Sequence, residues 1–208
     1  MILIGQYDSP FVRRVAIAMR LYGIAFEHFP WSTFGDAEKI ARYNPLRRVP
    51  TLVLDDGAVV IESMAILDYL DETVGPNKAL VPRHGLPRQR ALKICALATG
   101  LADKSVSLVY ERVLHQQTSR DWIERCRSQI DGVLDMLEAE RAGGDSMFWF
   151  GLAVGHADIA VACALRFTSE AHPGSFDPRR WPALAAHAAR CETLEAFRAI
   201  SQPFIPPS

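Results

Sequence analysis

The residues best suited to chemistry stand early in the chain, in the run Asp8-Ser9-Pro10-Phe11-Val12-Arg13-Arg14. Ser9 carries a hydroxyl and precedes Pro10 where the apolar opening residues Met1, Ile2, Leu3 and Ile4 give way to helical spacing. Serine is a favoured helix N-cap and proline a favoured first helical residue. Amides in the first turn of a helix have no partner within it, and the positive end of the dipole adds to them. Such a junction stabilises a thiolate or carboxylate by about 0.3 to 1 kcal/mol near a surface. The Ser9 hydroxyl could donate to that anion. Taken alone, these seven residues make no more than a capped helix, and the rest of the chain must decide.

The elements needed to position Ser9 are readable around it. Residues 1–5 form a strand, and residues 10–23 a helix with Val12, Val15, Ala16, Met19 and Tyr22 at helical spacing and Gly23 as its stop. Ile24 to Phe29 follows as a second strand, parallel to the first because the helix crosses over between them. A weaker helical patch over 36–43 ends at Asn44-Pro45, since a residue before proline avoids helical backbone angles. The stretch from Val49-Pro50 to Leu54, the turn Asp55-Asp56-Gly57 and the run Ala58 to Ile61 predict an antiparallel hairpin. A helix from Met64 to Thr73 follows, with Ser63 as N-cap, Ile66, Leu67 and Leu70 on one face and Asp68, Asp71 and Glu72 on the other. This order is a mixed sheet with helices on its faces, the layout of a thioredoxin-like domain over residues 1–76. It lets the helix starts at Ser9 and Ser63 face one pocket.

Turn formers in Gly75-Pro76-Asn77-Lys78 and in Pro82 to Pro87 mark a linker over 77–87, and no strand pattern follows. Residues 88–208 read as an all-helical bundle domain, so the fold class is α/β plus all-α. Its first helix spans 88–114 with Gly100 as a possible bend point, and a second starts at Ser119 or Asp121, with Asp121 and Glu124 in capping spacing, and ends at Gly143-Gly144. Ile159 to Phe167 is apolar nearly all round, which marks a buried central helix, and Trp181 to Ile200 reads as a final surface helix.

Three pieces of the first half, Ser9-Pro10-Phe11-Val12-Arg13-Arg14, Asn44-Pro45-Leu46-Arg47-Arg48-Val49-Pro50 and Glu62-Ser63, resemble in order and spacing the soluble, cytosolic-type glutathione transferases, of the bacterial kind with a serine at the sulfur position. The central helix extends the resemblance into the second half. Relatives begin it with Ser or Thr, two residues and Asp, where this chain has Gly155-His156-Ala157-Asp158. Glycine is only a few tenths of a kcal/mol, roughly, worse than serine as a cap, so Asp158 reads as a folding residue.

The resemblance implies a role for each matching position. Ser9 would hydrogen-bond the glutathione sulfur and hold it as the thiolate, which is the attacking form. Val49, before a proline that is usually cis in the family, would pair its backbone with the cysteinyl part. Glu62 and Ser63 would hold the γ-glutamyl end, and Arg48 the glycyl carboxylate. Arg47 stands where many members have glycine, which leaves open which arginine faces the pocket. Tyr7 is the rival donor to the sulfur, ranked below Ser9 because it lacks the helix start beside it. Phe11, Trp31, Phe34 and Tyr110 are candidates for the wall of an electrophile pocket. Glutaredoxins carry cysteines where this chain has Ser9 and Val12, and omega-class transferases have one in place of Ser9. Thiol-disulfide exchange, which needs a protein thiolate, is therefore disfavoured.

The bulk properties agree with a small-molecule enzyme. The 208 residues are 49% hydrophobic and 23% charged with a formal net charge of −1, and no long run of one sign suggests a nucleic-acid or membrane partner. Cys95, Cys126, Cys163 and Cys191 are widely spaced and read as free thiols, which suits a cytoplasmic location. His115, His156 and His187 lack neighbours at ligand spacing, so no metal is expected, and surface or cap positions are expected for them. The reading is a homodimeric glutathione transferase that uses reduced glutathione and a small electrophile, with detoxification as its setting. The alternatives are a glutathione-dependent peroxidase or isomerase on the same site, and a non-catalytic interaction protein of this fold.

Overall fold

A computed structural model describes residues 1–207. Its first half is a four-stranded sheet of β1 (Ile2–Ile4), β2 (Glu27–Phe29), β3 (Thr51–Val53) and β4 (Val59–Ile61) in the order β2-β1-β3-β4. β1 and β2 are parallel, with Leu3 opposite His28. The other neighbours are antiparallel, with Leu3 opposite Leu52 and Leu52 opposite Val60. β2 is shorter than expected, because only its last three residues reach the ladder.

Successive strand residues point to opposite faces. Leu3 and Leu52 pack with α1 (Pro10–Tyr22) and α3 (Ser63–Val74), while Ile4 and Val53 pack with Ile40 of α2 (Ala37–Ala41) on the other side. α1 stops at Gly23, whose φ of 71° is the left-handed geometry of a helix C-terminus. The N-cap of α3 is Glu62, at φ 67°, and Ser63 is the first helical residue. This corrects the expectation that Ser63 is the cap.

The second half contains α4 (Gly85–Leu114), α5 (Arg120–Ala142), α6 (His156–Ala171), α7 (Pro182–Glu192) and α8 (Glu195–Ala199). α4 starts three residues before the expected 88, because Pro87 falls in the first turn, where no amide partner is lost. Ser119 caps α5 by accepting from the Trp122 amide at 3.3 Å, so Asp121 is a first-turn residue and not the cap. α6 is longer than the apolar run and is buried along most of its length.

The expected surface helix over 181–200 is two helices, and both are anchored inward. Arg13 donates Nη1 and Nη2 to the Glu192 carboxylate at 2.7 Å each, Nε to the Ile200 carbonyl at 2.9 Å and Nη2 to the Phe197 carbonyl at 3.2 Å. Leu194, with extended backbone angles, breaks the helical path between α7 and α8 and lets these carbonyls turn toward Arg13, and Leu184, Cys191 and Phe197 are fully buried.

The two halves share one apolar core in which Leu3, Val15, Met19 and Leu67 pack with Ile159, Cys163, Cys191 and Phe197. A polar knot joins them as well. The Asp71 carboxylate accepts from the Tyr22 hydroxyl, from the Leu80 amide at 3.0 Å and contacts His156 Nε2 at 3.1 Å.

Candidate active site

Ser9 sits at the start of α1 with extended backbone angles, and its Oγ accepts from the Val12 amide at 3.4 Å. The Arg13 amide donates to the Ser9 carbonyl at 2.9 Å. With Oγ acting as acceptor toward the helix, its proton stays available for a group in front of the helix. Gly5 sets this junction against the loop after α2. Its φ is +128°, and a Cβ there would lie 2.4 Å from Val12 Cγ2 and 2.8 Å from Val49 Cβ, so only glycine lets the end of β1 come so close.

On the other side of that contact the Val49-Pro50 peptide is cis, the isomer the resemblance implied. Asn44, expected only as a helix stop, organises this loop from a fully buried position. Its Nδ2 donates to the Arg48 carbonyl at 3.0 Å and to Thr51 Oγ1 at 3.2 Å, while Oδ1 accepts from the Leu46 amide at 3.0 Å. A sequence signal for it existed only in part: asparagine before proline marks a turn, but its long-range partners follow from the fold.

Ser9 opens onto a cleft of about 670 Å³ between the halves. Arg48 and Val49 line one part of it, and the four expected wall residues Phe11, Trp31, Phe34 and Tyr110 all line it as well. Phe34 and Tyr110 meet edge to face at 5.4 Å, which closes the loop after β2 against α4. α4 contributes Asp103, Val106 and Ser107 on the same helical face as Tyr110.

Pro50, Glu62 and Ser63 lie outside this lining. Glu62 borders it through Arg48, whose Nη1 is 3.3 Å from the Glu62 carboxylate. Ser63 is nearly buried at the first turn of α3. The positive φ of Glu62, rare for a residue with a side chain, is the kind of backbone strain that collects at ligand sites. Arg47 points elsewhere, with Nη2 3.1 Å from Glu38, so of the two arginines it is Arg48 that lines the cleft.

Tyr7 is outside the lining too. Its ring stacks on His28 at 3.9 Å, and burial pushes its phenol pKa up. Sequence reasoning missed Asp8 and the tail residues Phe204, Ile205, Pro206 and Pro207, all of which line the cleft.

The histidines correct an expectation. Of the three, His156 and His187 are buried rather than at the surface, whereas His115, the C-cap of α4, is exposed, with Nδ1 2.8 Å from Glu111. His187 Nε2 lies 3.6 Å from Cys191 Sγ and 3.4 Å from Asp158 Oδ1, which looks like a nucleophile relay but is not one. A relay needs the two ring nitrogens to serve different partners. Here both partners crowd Nε2, while Nδ1 is buried with no partner. All four cysteines are buried and unpaired, and burial pushes the Cys191 thiol up. Among the described residues no three His, Cys, Asp or Glu side chains gather as metal ligands would, and no helix is long and apolar enough to cross a membrane.

Comparison with known proteins agrees with this geometry. Residues 3–78 match the family model of the glutathione S-transferase N-terminal domain, and residues 120–190 that of the C-terminal domain. The GST-like protein YibF of Escherichia coli K12 is 35% identical over 166 residues, covering 79% of this chain and 80% of that protein. A glutathione S-transferase from Methylobacterium radiotolerans, solved with glutathione sulfonate, superposes with a TM-score of 0.89 at 29% identity, covering 98% of this chain and 97% of that one. A glutathione transferase family member from Pseudomonas fluorescens Pf-5, solved with bound glutathione, superposes with a TM-score of 0.84 at 31% identity, covering 98% and 99%. With a cis-proline loop, a serine-capped helix and an aromatic cleft between a thioredoxin-like sheet and a helical bundle, this chain belongs to the glutathione S-transferase family.

Proposed function

We propose that this transferase joins reduced glutathione to a small, largely apolar electrophile, and that Ser9 holds the sulfur as a thiolate. The observation that carries the reading is the position of Ser9. Its hydroxyl is fixed by the Val12 amide at the start of α1 and opens onto a cleft walled by Phe11, Trp31, Phe34 and Tyr110. A hydroxyl donor and a helix N-terminus both favour the anion over the thiol. Ser9 stabilises the nucleophile and does not itself attack.

In this reading Val49 aligns the cysteinyl backbone, Arg48 faces the glycyl carboxylate, and Glu62 with the first turn of α3 at Ser63 receives the γ-glutamyl end. Pro50 holds the loop. Catalysis comes from a lowered thiol pKa and from holding the electrophile beside the sulfur. Conjugation is preferred over isomerase or peroxidase chemistry because the cleft offers a broad aromatic wall and, among the described residues, Arg48 as its one cationic lining residue. The protein acts in the cytoplasm as a homodimer, after the family's habit.

The test is Ser9→Ala. Each unit by which the thiol pKa rises is worth about 1.4 kcal/mol, so turnover at neutral pH should fall by about tenfold or more. Calorimetric affinity for reduced glutathione and S-methyl glutathione should change by no more than about threefold, because most tripeptide contacts remain. The ultraviolet absorbance of the bound thiolate should appear at higher pH in the variant. Unchanged turnover would remove Ser9 from this role.

A further inference from the structure

The last described residues cross the cleft without forming a helix or strand. Residues 202–207 include Pro203, Pro206 and Pro207, which have no amide proton, so only Gln202, Phe204 and Ile205 can donate from the backbone. Two of those three donors go to carboxylates, one on α6 and one in the turn before α1. The Phe204 amide donates to Glu170 Oε2 on α6 at 2.7 Å, and the Ile205 amide donates to Asp8 Oδ2 at 3.1 Å. Gln202 adds a side-chain tie, its Oε1 accepting from the Tyr7 amide at 3.1 Å. Glu170 is held in turn by Arg166 Nε at 2.8 Å.

The fastened segment forms part of the cleft. Phe204 packs edge to face on Phe167 at 5.5 Å, and Phe204, Ile205, Pro206 and Pro207 all contribute to the lining. Asp8 adjoins Ser9 and lines the same cleft. A carboxylate there opposes a thiolate by like-charge repulsion, so its presence calls for another role. The Ile205 amide supplies that role.

We propose that Asp8 and Glu170 are positioning residues that fasten residues 202–207 across the cleft, making the tail a detachable wall for the electrophile. The proposal rests on the transferase reading for the identity of the occupant. Two charge-assisted hydrogen bonds hold the segment in place of a secondary-structure ladder, so the wall can open and close without unfolding any element. The part of the ligand that meets the tail is the group attached to sulfur.

The test compares reduced glutathione with S-benzyl glutathione by calorimetry, and follows amide exchange in the 202–207 peptide by mass spectrometry. In Asp8→Ala and Glu170→Ala the tail amides should exchange faster. The affinity for S-benzyl glutathione should fall about fivefold, while that for reduced glutathione stays within about twofold. Asp8→Asn keeps an acceptor oxygen and should restore slow exchange and most of the affinity. Phe204→Ala removes wall without touching a carboxylate and should weaken only the benzyl ligand. Equal losses for both ligands, or unchanged tail exchange in Asp8→Ala, would overturn the proposal. Failure of the unmodified protein to bind reduced glutathione would overturn the transferase reading instead, while the exchange measurement still judges the fastening.

Discussion

At the scale of single residues, burial decides what a reactive-looking side chain can do. Ser9 accepts from the Val12 amide and lines the cleft, whereas His187, 1% exposed, is enclosed by the fold. Burial, with Arg141 and Arg190 nearby, lowers the His187 pKa to about 4. The unfolded chain therefore takes up a proton at this residue before the folded one does, so the stability is complete above pH 6.5 and is lost as pH falls toward 4. Between pH 7 and pH 5 this histidine should cost the native state at most about 2 kcal/mol, because the Asp158 carboxylate 3.4 Å from Nε2 opposes the shift. Urea titrations of the wild type and of His187→Gln at the two pH values should differ in their pH dependence by about that amount. Equal dependence in both proteins would mean that His187 does not carry this part of the acid sensitivity.

At the scale of elements, the start of α6 shows how one carboxylate organises a junction. Asp158 Oδ2 accepts from the Gly155 amide at 2.7 Å and Oδ1 from the Trp149 amide at 2.7 Å, which ties the helix to the preceding loop. Burial raises the Asp158 pKa, and these two amides work against that rise. Asp158→Ala should leave both donors unpaired and lower stability by about 2 to 4 kcal/mol in denaturant unfolding. Gly155 behaves differently from the expectation of a merely weaker cap. A Cβ there would lie 2.9 Å from the Leu80 carbonyl oxygen, which also accepts from the His156 amide at 3.0 Å. Gly155→Ser should therefore destabilise by about 1 to 3 kcal/mol through overpacking. A gain in stability would show that the Leu80 segment yields easily.

At the scale of the whole molecule, the shared core and the grips of Arg13 and Asp71 couple the sheet to the helical bundle. Unfolding should follow a single transition, with tryptophan fluorescence and far-ultraviolet circular dichroism coinciding. The exposed apolar side chains Met64 and Leu86, on α3 and at the start of α4, leave surface for the proposed second copy. For a dimer the thermal midpoint should rise with protein concentration. Two separate transitions would contradict the coupling, and a midpoint independent of concentration would contradict the dimer.

Local signals in the sequence determined much of this protein. The helical stripe after Ser9-Pro10, the hairpin around Asp55-Asp56-Gly57 and the apolar run of α6 each depend on neighbours a few residues apart, and each appears at its expected place with small shifts at the ends. The spacing of Ser9, Val49-Pro50 and Glu62-Ser63 also carried the family. The tertiary structure alone decided the role of Asn44 under the cis-proline loop, the split of the last helix around Arg13, the separation of Tyr7 from the cleft, and the tail fastened by Asp8 and Glu170. Asp8 and Ile205 are 197 positions apart, and nothing in the residues around either one encodes the other. Their pairing exists because the shared core brings the end of the chain back over its beginning.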